Sequence, residues 1–363
     1  MKTVESGTAV RAAGGQAATA TRRPLERLAS LAGSRSGAGV AFVVVCLIVL
    51  QGSSFWIYEA SLIAIYGILG LSQEWIFGRA GQVSLGAAAL LAVGAYVTAW
   101  VSDVSWLPFP LPLVVAALAG AVVGVVIGVP GLRFTGVYLL LTTLALQVIV
   151  SFAGENIQGQ AHQSGFTVTP PAWGGFQLAN GKTFLVVCMV VLGVVMFLLS
   201  GLYRTAPGRA WSAIRQNEAA AATLGIPVVR WKLVAFTGSS AIAAVAGSLY
   251  AYALSSVDYN TFSLDLSLTL VVMVFVGGVG RLVGPLVGAV FVILLPTWVS
   301  DLISQVPVTS NSYSYLSSHE SFIEMGIYGL LLILVLLYER GGIVGGVLRL
   351  SGAAARQWRL VTR

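Results

Sequence analysis

Residues 204–232 read RTAPGRAWSAIRQNEAAAATLGIPVVRWK, a polar and basic stretch between two long apolar runs. Its residue types can start a helix and offer that helix to a partner. The side-chain oxygen of Asn217 can accept from the exposed N–H groups of a helix that comes after it, and Glu218 sits where the positive end of the helix dipole favours an anion. Gly225 and Pro227 then stop the helix. About two turns remain, 218–224, which is too short to be stable alone in water. Such a helix needs something to dock against. Residues 219–222 are all alanine, so a groove or another backbone can approach closely, and Arg209, Arg215, Arg230 and Lys232 surround the segment with positive charge. On these residues alone, an ordinary basic loop between membrane helices is the commoner meaning.

A second group could handle a solute. Gly78-Arg79-Ala80-Gly81-Gln82-Val83-Ser84-Leu85-Gly86 continues through Gly94-Ala95-Tyr96, and glycines this dense in apolar surroundings permit close helix contacts or a broken helix. A broken helix exposes backbone groups that can bind a solute, with Gln82 and Ser84 supplying donors and acceptors beside them. Tight packing at a turn is the plainer reading. Thr142, Thr143 and Gln147 interrupt a run of Leu, Val and Ala; Thr143 and Gln147 share a helix face, turned either to a pathway or, more commonly, to a neighbouring helix.

Other chemistry is poorly supplied. His162 and His319 are isolated in polar loops, and no ligand set for a metal forms around either. GFQLANGKT at 175–183 has five residues between its glycines where a phosphate-binding loop has four, and it precedes an apolar run. Glu59, Glu74 and Glu324 fall near the ends of apolar runs and read as interfacial, so no proton relay is apparent. Cys46 and Cys188 both lie inside apolar runs and read as packing residues.

The elements that must position these groups are membrane helices. Of 363 residues, 57% are hydrophobic and 9% charged, which excludes a soluble domain of this size. Apolar runs fall near 38–55, 57–76, 83–101, 110–130, 135–153, 183–203, 232–254, 264–279, 282–300 and 322–338, giving about ten crossings. With the N-terminus in the cytoplasm, Arg79, Arg133, the 204–232 stretch, Arg281 and the C-terminal tail all fall inside. Of the 20 Lys and Arg residues only Lys182 falls outside, so the net charge of +7 follows topology and does not indicate nucleic acid. Asp103, Glu155, Asp258, Asp265, Asp301 and Glu320 gather on the other face. The predicted organisation is a flexible cytoplasmic tail over 1–37, an all-α integral-membrane domain over 38–339 and a basic cytoplasmic tail over 340–363. The outside segments 154–182 and 301–321 are expected to be irregular connections.

Glu218-Ala219-Ala220 followed by Gly225 and Ile226 resembles the EAA loop of ABC-importer permeases, which sits in a cleft of the ATP-hydrolysing subunit. GxxGQxSLG…GAY at 78–96 is similar to the pattern of permease subunits of branched-chain amino-acid importers, the LivM type within the LivH/LivM/ribose permease superfamily. Further matches are Val129-Pro130-Gly131-Leu132-Arg133 with Gly136-Val137-Tyr138, Gly208-Arg209-Ala210, Gly277-Gly278-Val279-Gly280 with Gly284-Pro285, and Glu339-Arg340-Gly341-Gly342. The set runs in order from about Gly67 to Gly342. The sequence departs from the pattern at Ala87, where many members have His, and at Gln163-Ser164-Gly165-Phe166, which leaves the solute open.

The resemblance implies an ABC-importer permease fold, type II-like, with both termini cytoplasmic, in the bacterial inner membrane. It implies a transport subunit and no enzyme. The solute would be small and polar, a branched-chain or related amino acid; urea or a short-chain amide is the alternative within the class. An ion-coupled secondary transporter is the alternative from another class, and a membrane-embedded enzyme ranks below both. Implied partners are two ABC ATPase subunits, which would bind ATP and Mg in place of any cofactor in this chain, a second permease subunit, an extracytoplasmic solute-binding protein and the lipid bilayer. Glu218, Ala219, Ala220 and Gly225 would couple to the ATPase; Gln82, Ser84, Thr143 and Gln147 would line the pathway; Gly78, Gly81, Gly86, Gly277, Gly278 and Gly280 would break or pack helices.

Overall fold

The computed structural model describes residues 52–102, 109–131, 138–161, 165–169, 172–173, 176–177, 181–304 and scattered positions from 323 to 342. The chain divides into two units, 1–56 and 57–363, and the described residues belong to the second, apart from 52–56. Ten α-helices form among the described residues. They are α1 (Ser54–Glu74), α2 (Ala87–Ser102), α3 (Leu111–Gly131), α4 (Tyr138–Ala161), α5 (Gly181–Leu202), α6 (Ala206–Gln216), α7 (Glu218–Thr223), α8 (Val228–Leu254), α9 (Leu264–Gly277) and α10 (Gly284–Ser304). A π-helical turn, Trp75–Ala80, prolongs α1.

Among the described residues, six helices are long and apolar enough to cross a membrane. Ala87–Ser102 and Leu264–Gly277 are shorter, and at 1.5 Å per residue neither reaches across a hydrocarbon core of about 30 Å. Each comes after a stretch that is not α-helical: extended chain over 81–86 before α2, and a short strand and 3-10 turn before α9. Eight of the ten predicted apolar runs are therefore helical. The run at 38–55 lies outside the described residues except for its end, and so does most of 322–338; Ile323 and Ile327 there pack against Leu295, Val299 and Ile303 of α10.

Two expectations are corrected. The region from 154 is not irregular at its start, because α4 runs on to Ala161, with the buried Gln158 side chain accepting from Tyr259 N at 2.9 Å and donating to Asp258 Oδ1 at 3.2 Å. The domain also contains short strands. β1 (Phe166–Thr167) pairs antiparallel with β4 (Ser256–Val257), and β2 (Ala172–Trp173) with β3 (Phe176–Gln177), satisfying backbone groups where the chain is not helical.

Lipid tails are as apolar as leucine, so membrane helices associate through close packing more than through burial of apolar surface. α8 is the centre of that packing, against α2 and α3. Gly247 of α8 faces the Leu91 carbonyl of α2, and Gly94 of α2 faces the Ala244 backbone, each close enough to leave no room for a side chain. Gly120 and Gly124 of α3 meet Ser240 and Ala244 in the same way. α9 and α10 repeat the device, with Gly288 against Met273. α3, α4 and α5 keep large apolar residues outward, among them Leu118, Val126, Phe152, Phe197 and Leu198.

Candidate functional site

α7 is built by the signals flanking it. Asn217 closes α6, its N–H donating to Ala213 O at 3.1 Å, and its extended backbone (φ −161°, ψ 111°) turns the chain so that its Oδ1 accepts from Ala220 N at 3.0 Å. At the other end Gly225 takes φ +78°. Its N–H donates to Ala222 O at 3.0 Å while that of Ile226 reaches back to Ala221 O at 3.1 Å, the paired bonds of a Schellman ending. The resulting helix has six residues.

What holds so short a helix is mostly α6, which lies within the stretch read above only as polar and basic. Ala210, Trp211 and Ile214 form its buried stripe, and Pro207 lies in its first turn. Trp211 has no exposed surface; its Nε1–H donates to Trp231 O at 2.7 Å, and its ring meets Trp231 and Trp75 edge-on at 6.0 and 5.2 Å. The spacing of Pro207, Ala210, Trp211 and Ile214 is the signal that could have revealed α6.

Of α7 only Ala221 is buried. Ala219, Ala220, Ala222 and Thr223 are exposed, and Leu224 beyond them is 78% exposed. The surface is thus a small-residue face ending in one large apolar side chain. The expected ring of free positive charge is reduced. Lys232 is ion-paired with Glu218, while Arg215 donates to the Gly78 carbonyl and Arg209 to the Arg204 carbonyl; Arg209, Arg215 and Arg230 remain exposed.

The two glycine-rich segments lie together at the end of the bundle that carries Arg79, Arg215 and Arg281. Gly81 ends the π-turn at φ +66°, and Gln82 N donates to Ile76 O at 3.0 Å. Gly78 lies under the carboxyl group of Glu74, and Gly86 packs against the Thr143 backbone. Gly277 packs on Gly284; Gly278 and Gly280 take φ +116° and +93° in the turn after α9. Gly280 N donates to Glu74 Oε1 at 2.8 Å.

Glu74 departs from its interfacial reading, since it has no exposed surface at all. The π-turn carries the rod past it and the Gly280 turn covers it. Nearby, Arg79 stands 4.5 Å over the Tyr203 ring. Burial pushes the Tyr203 phenol well above its usual range; the Glu74 charge adds to the rise and Arg79 opposes it.

The four predicted pathway residues are all buried. Thr143 Oγ1 accepts from Leu85 N at 3.1 Å, and Ser84 Oγ accepts from Gly86 N at 3.4 Å. Gln147 Nε2 donates to Phe262 O at 2.6 Å, and its Oε1 accepts from Ser267 Oγ at 3.2 Å; Ser267 Oγ in turn accepts from Ala88 N at 3.1 Å. One face of α4 thus ties the extended segment before α2 to the starts of α2 and α9, as the helix-to-helix reading of Thr143 and Gln147 has it. Ser267 and Phe262 were not singled out by sequence. Gln82 differs from the other three: it is buried, and both ends of its side-chain amide lack a partner.

Among the described residues, no three His, Cys, Asp or Glu side chains stand together as a metal site. His162, His319 and Cys46 lie outside those residues, as does most of 175–180; Cys188 is buried.

The family described as branched-chain amino acid transport system / permease component matches residues 56–336. The high-affinity branched-chain amino acid transport system permease protein LivM of Escherichia coli K12 is 30% identical over 260 residues, 65% of this chain and 61% of that protein. The autoinducer 2 import system permease protein LsrC of Enterobacter sp. strain 638 is 31% identical over 209 residues, 53% of this chain and 58% of its own. The fructose import permease protein FrcC of Rhizobium meliloti is 27% identical over 278 residues, 71% and 76% of the two chains. This chain therefore spans about three-fifths of the length of the LivM relative, 61%. No solved structure gives a significant match.

Proposed function

Because the chain belongs to the family of branched-chain amino-acid transport permeases, we propose that it is the membrane-spanning subunit of an ATP-driven importer in a bacterial inner membrane. In this reading the arginine-bearing end faces the cytoplasm, and two ATPase subunits, which hold ATP and Mg, grip α7 and its counterpart on a second permease. A solute-binding protein delivers the cargo to the opposite face. The observation that carries this reading is the construction of α7: a short helix capped at both ends, anchored through α6 and Trp211 to α8, with an exposed face of alanines. A helix so built moves with α8 when a partner displaces it. Glu218, Ala219, Ala220 and Gly225 are its coupling positions.

Gln82, Ser84, Thr143 and Gln147 form the proposed pathway region, at the buried start of α2, where non-helical backbone can serve a polar solute. Gln82 is the leading contact, because its buried amide has unused donors and an unused acceptor. Branched-chain or related amino acids are the proposed cargo, after the LivM relative; short-chain amides and urea are the nearest rivals. The buried Glu74, which accepts from Gly280 N, is the group an ion-coupled carrier would use.

The experiment is reconstitution with candidate ATPases and binding proteins. Leucine uptake into vesicles that requires both ATP and the binding protein supports the reading; uptake by this chain alone, driven by an ion gradient, overturns it.

A further inference from the structure

Arg215 lies in the last turn of α6, with Gln216 and Asn217 between it and the first residue of α7. Its guanidinium donates to the Gly78 carbonyl in the π-turn, and its stem packs on Gly81, where an added Cβ would lie 3.2 Å from Arg215 Cγ. From the same π-turn Arg79 Nη2 donates to Gly280 O at 3.5 Å, and one turn earlier Glu74 Oε1 accepts from Gly280 N at 2.8 Å. Gly280 is thus held through both of its backbone groups. The glycines make room for this, since the Glu74 carboxyl group occupies the space a side chain on Gly78 would need. Glu74 is fully buried.

These contacts join three regions far apart in sequence: α6 with α7, the end of the α1 rod, and the turn between α9 and α10. By itself α7 packs on α6 and the start of α8. Apart from the arginines, displacement of α7 reaches the end of α1 through the packing of α6 on the π-turn, Trp211 on Trp75 included, and through α8. With them, α6 is also hydrogen-bonded to the π-turn that leads into Gln82 and Ser84, and that turn to the end of the helix that carries Ser267. Hydrogen bonds with ionic donors are stronger than neutral ones, and Glu74 is fully buried where it accepts from Gly280, so the junction resists shear.

We propose that Glu74, Arg79 and Arg215 form a coupling latch, positioning residues that bind both glycine turns to the base of α7 so that ATPase-driven motion moves α1 and α9 as one body. This rests on the reading of α7 as the ATPase-docking helix, but α7 can dock without the latch, and the two ideas fail differently. The test uses the complete complex in vesicles with its binding protein and radiolabelled leucine as probe. Arg215→Gln, Arg215→Lys, Glu74→Gln and the double variant Arg215→Gln/Glu74→Gln are compared with wild type. Each variant should hold its ATPase and hydrolyse ATP to within about twofold of wild type, while leucine imported per ATP falls about tenfold in either single Gln variant, as for a lost coupling of ordinary size. Arg215→Lys should recover part of the ratio, and the double variant should be no worse than the singles, because one broken link already opens the latch.

An unchanged leucine-to-ATP ratio in both single variants would overturn the proposal, as would losses that multiply in the double. Loss of ATPase attachment or of thermal stability in step with uptake would assign these residues to folding and overturn it as well. If the wild-type chain holds no ATPase, the importer reading itself fails and the latch fails with it.

Discussion

Gly225 can be tested in isolation, because nothing lies within 4 Å of where its Cβ would be while its backbone sits at φ +78°. Any cost of substitution there is conformational, with no clash to confuse it. Alanine should cost about 1–2 kcal/mol for the left-handed position, and valine more, because its branched side chain is worse suited to it. Gly225→Val is therefore expected to unwind the Schellman ending and lower co-purification of the ATPase about tenfold or more, with Gly225→Ala between it and wild type. Equal recovery from all three chains would mean that the ending of α7 plays no part in docking. Asn217 and Gly225 were legible in the sequence because capping is local chemistry, decided by residues three or four positions apart. Glu74 was not. Its partner, the Gly280 N–H, is 206 residues away, and nothing near Glu74 in sequence marks it as covered.

Among elements, the same contrast between local and distant signals decides what could be read. Glycine density pointed to close approach or broken helices, and both occur: extended chain over 81–86, and backbone contact between α2 and α8. Which glycine serves which purpose could not be read, since that depends on the neighbour it meets. Thr143 and Gln147 were rightly placed on one face, but whether that face met a solute or a helix depended on Leu85, Phe262 and Ser267 arriving from three other segments. α6 was legible in principle from its apolar spacing and was obscured by the basic residues around it. The packing glycines make a prediction. A methyl group on Gly247 would run into the Leu91 carbonyl of α2, whereas nothing lies within 4 Å of the Cβ position on Gly201 in α5. Overpacking costs about 1–3 kcal/mol, while Gly to Ala in an open helix position gains up to about 1. Gly247→Ala should thus lower the thermal midpoint of the purified permease, and Gly201→Ala should leave it unchanged or raise it. A loss at Gly201 as large as at Gly247 would show that close contact between α2 and α8 is not what holds the bundle.

At the scale of the whole molecule, function depends on which end faces the ATPase, and charge is the physical basis for that choice. The structure gathers Arg79, Arg215 and Arg281 with α7 at one end, and puts Asp258 with the β1–β4 pair at the other, the distribution expected when basic residues are retained in the cytoplasm. Two exposed positions decide the matter, Thr223 at the end of α7 and Asn260 in the turn before α9. Each is replaced by cysteine in a chain whose own Cys46 and Cys188 have been changed to serine. A thiol reagent that does not cross membranes should label Asn260→Cys on intact cells and Thr223→Cys only after the membrane is opened. α8 separates the two positions, and its 27 residues span roughly 40 Å, more than the hydrocarbon core, so one reagent on one side cannot reach both through a folded protein. Labelling of Thr223→Cys from outside would place the exposed alanine face where no ATPase is present, and the importer reading would have to be abandoned whatever the family resemblance.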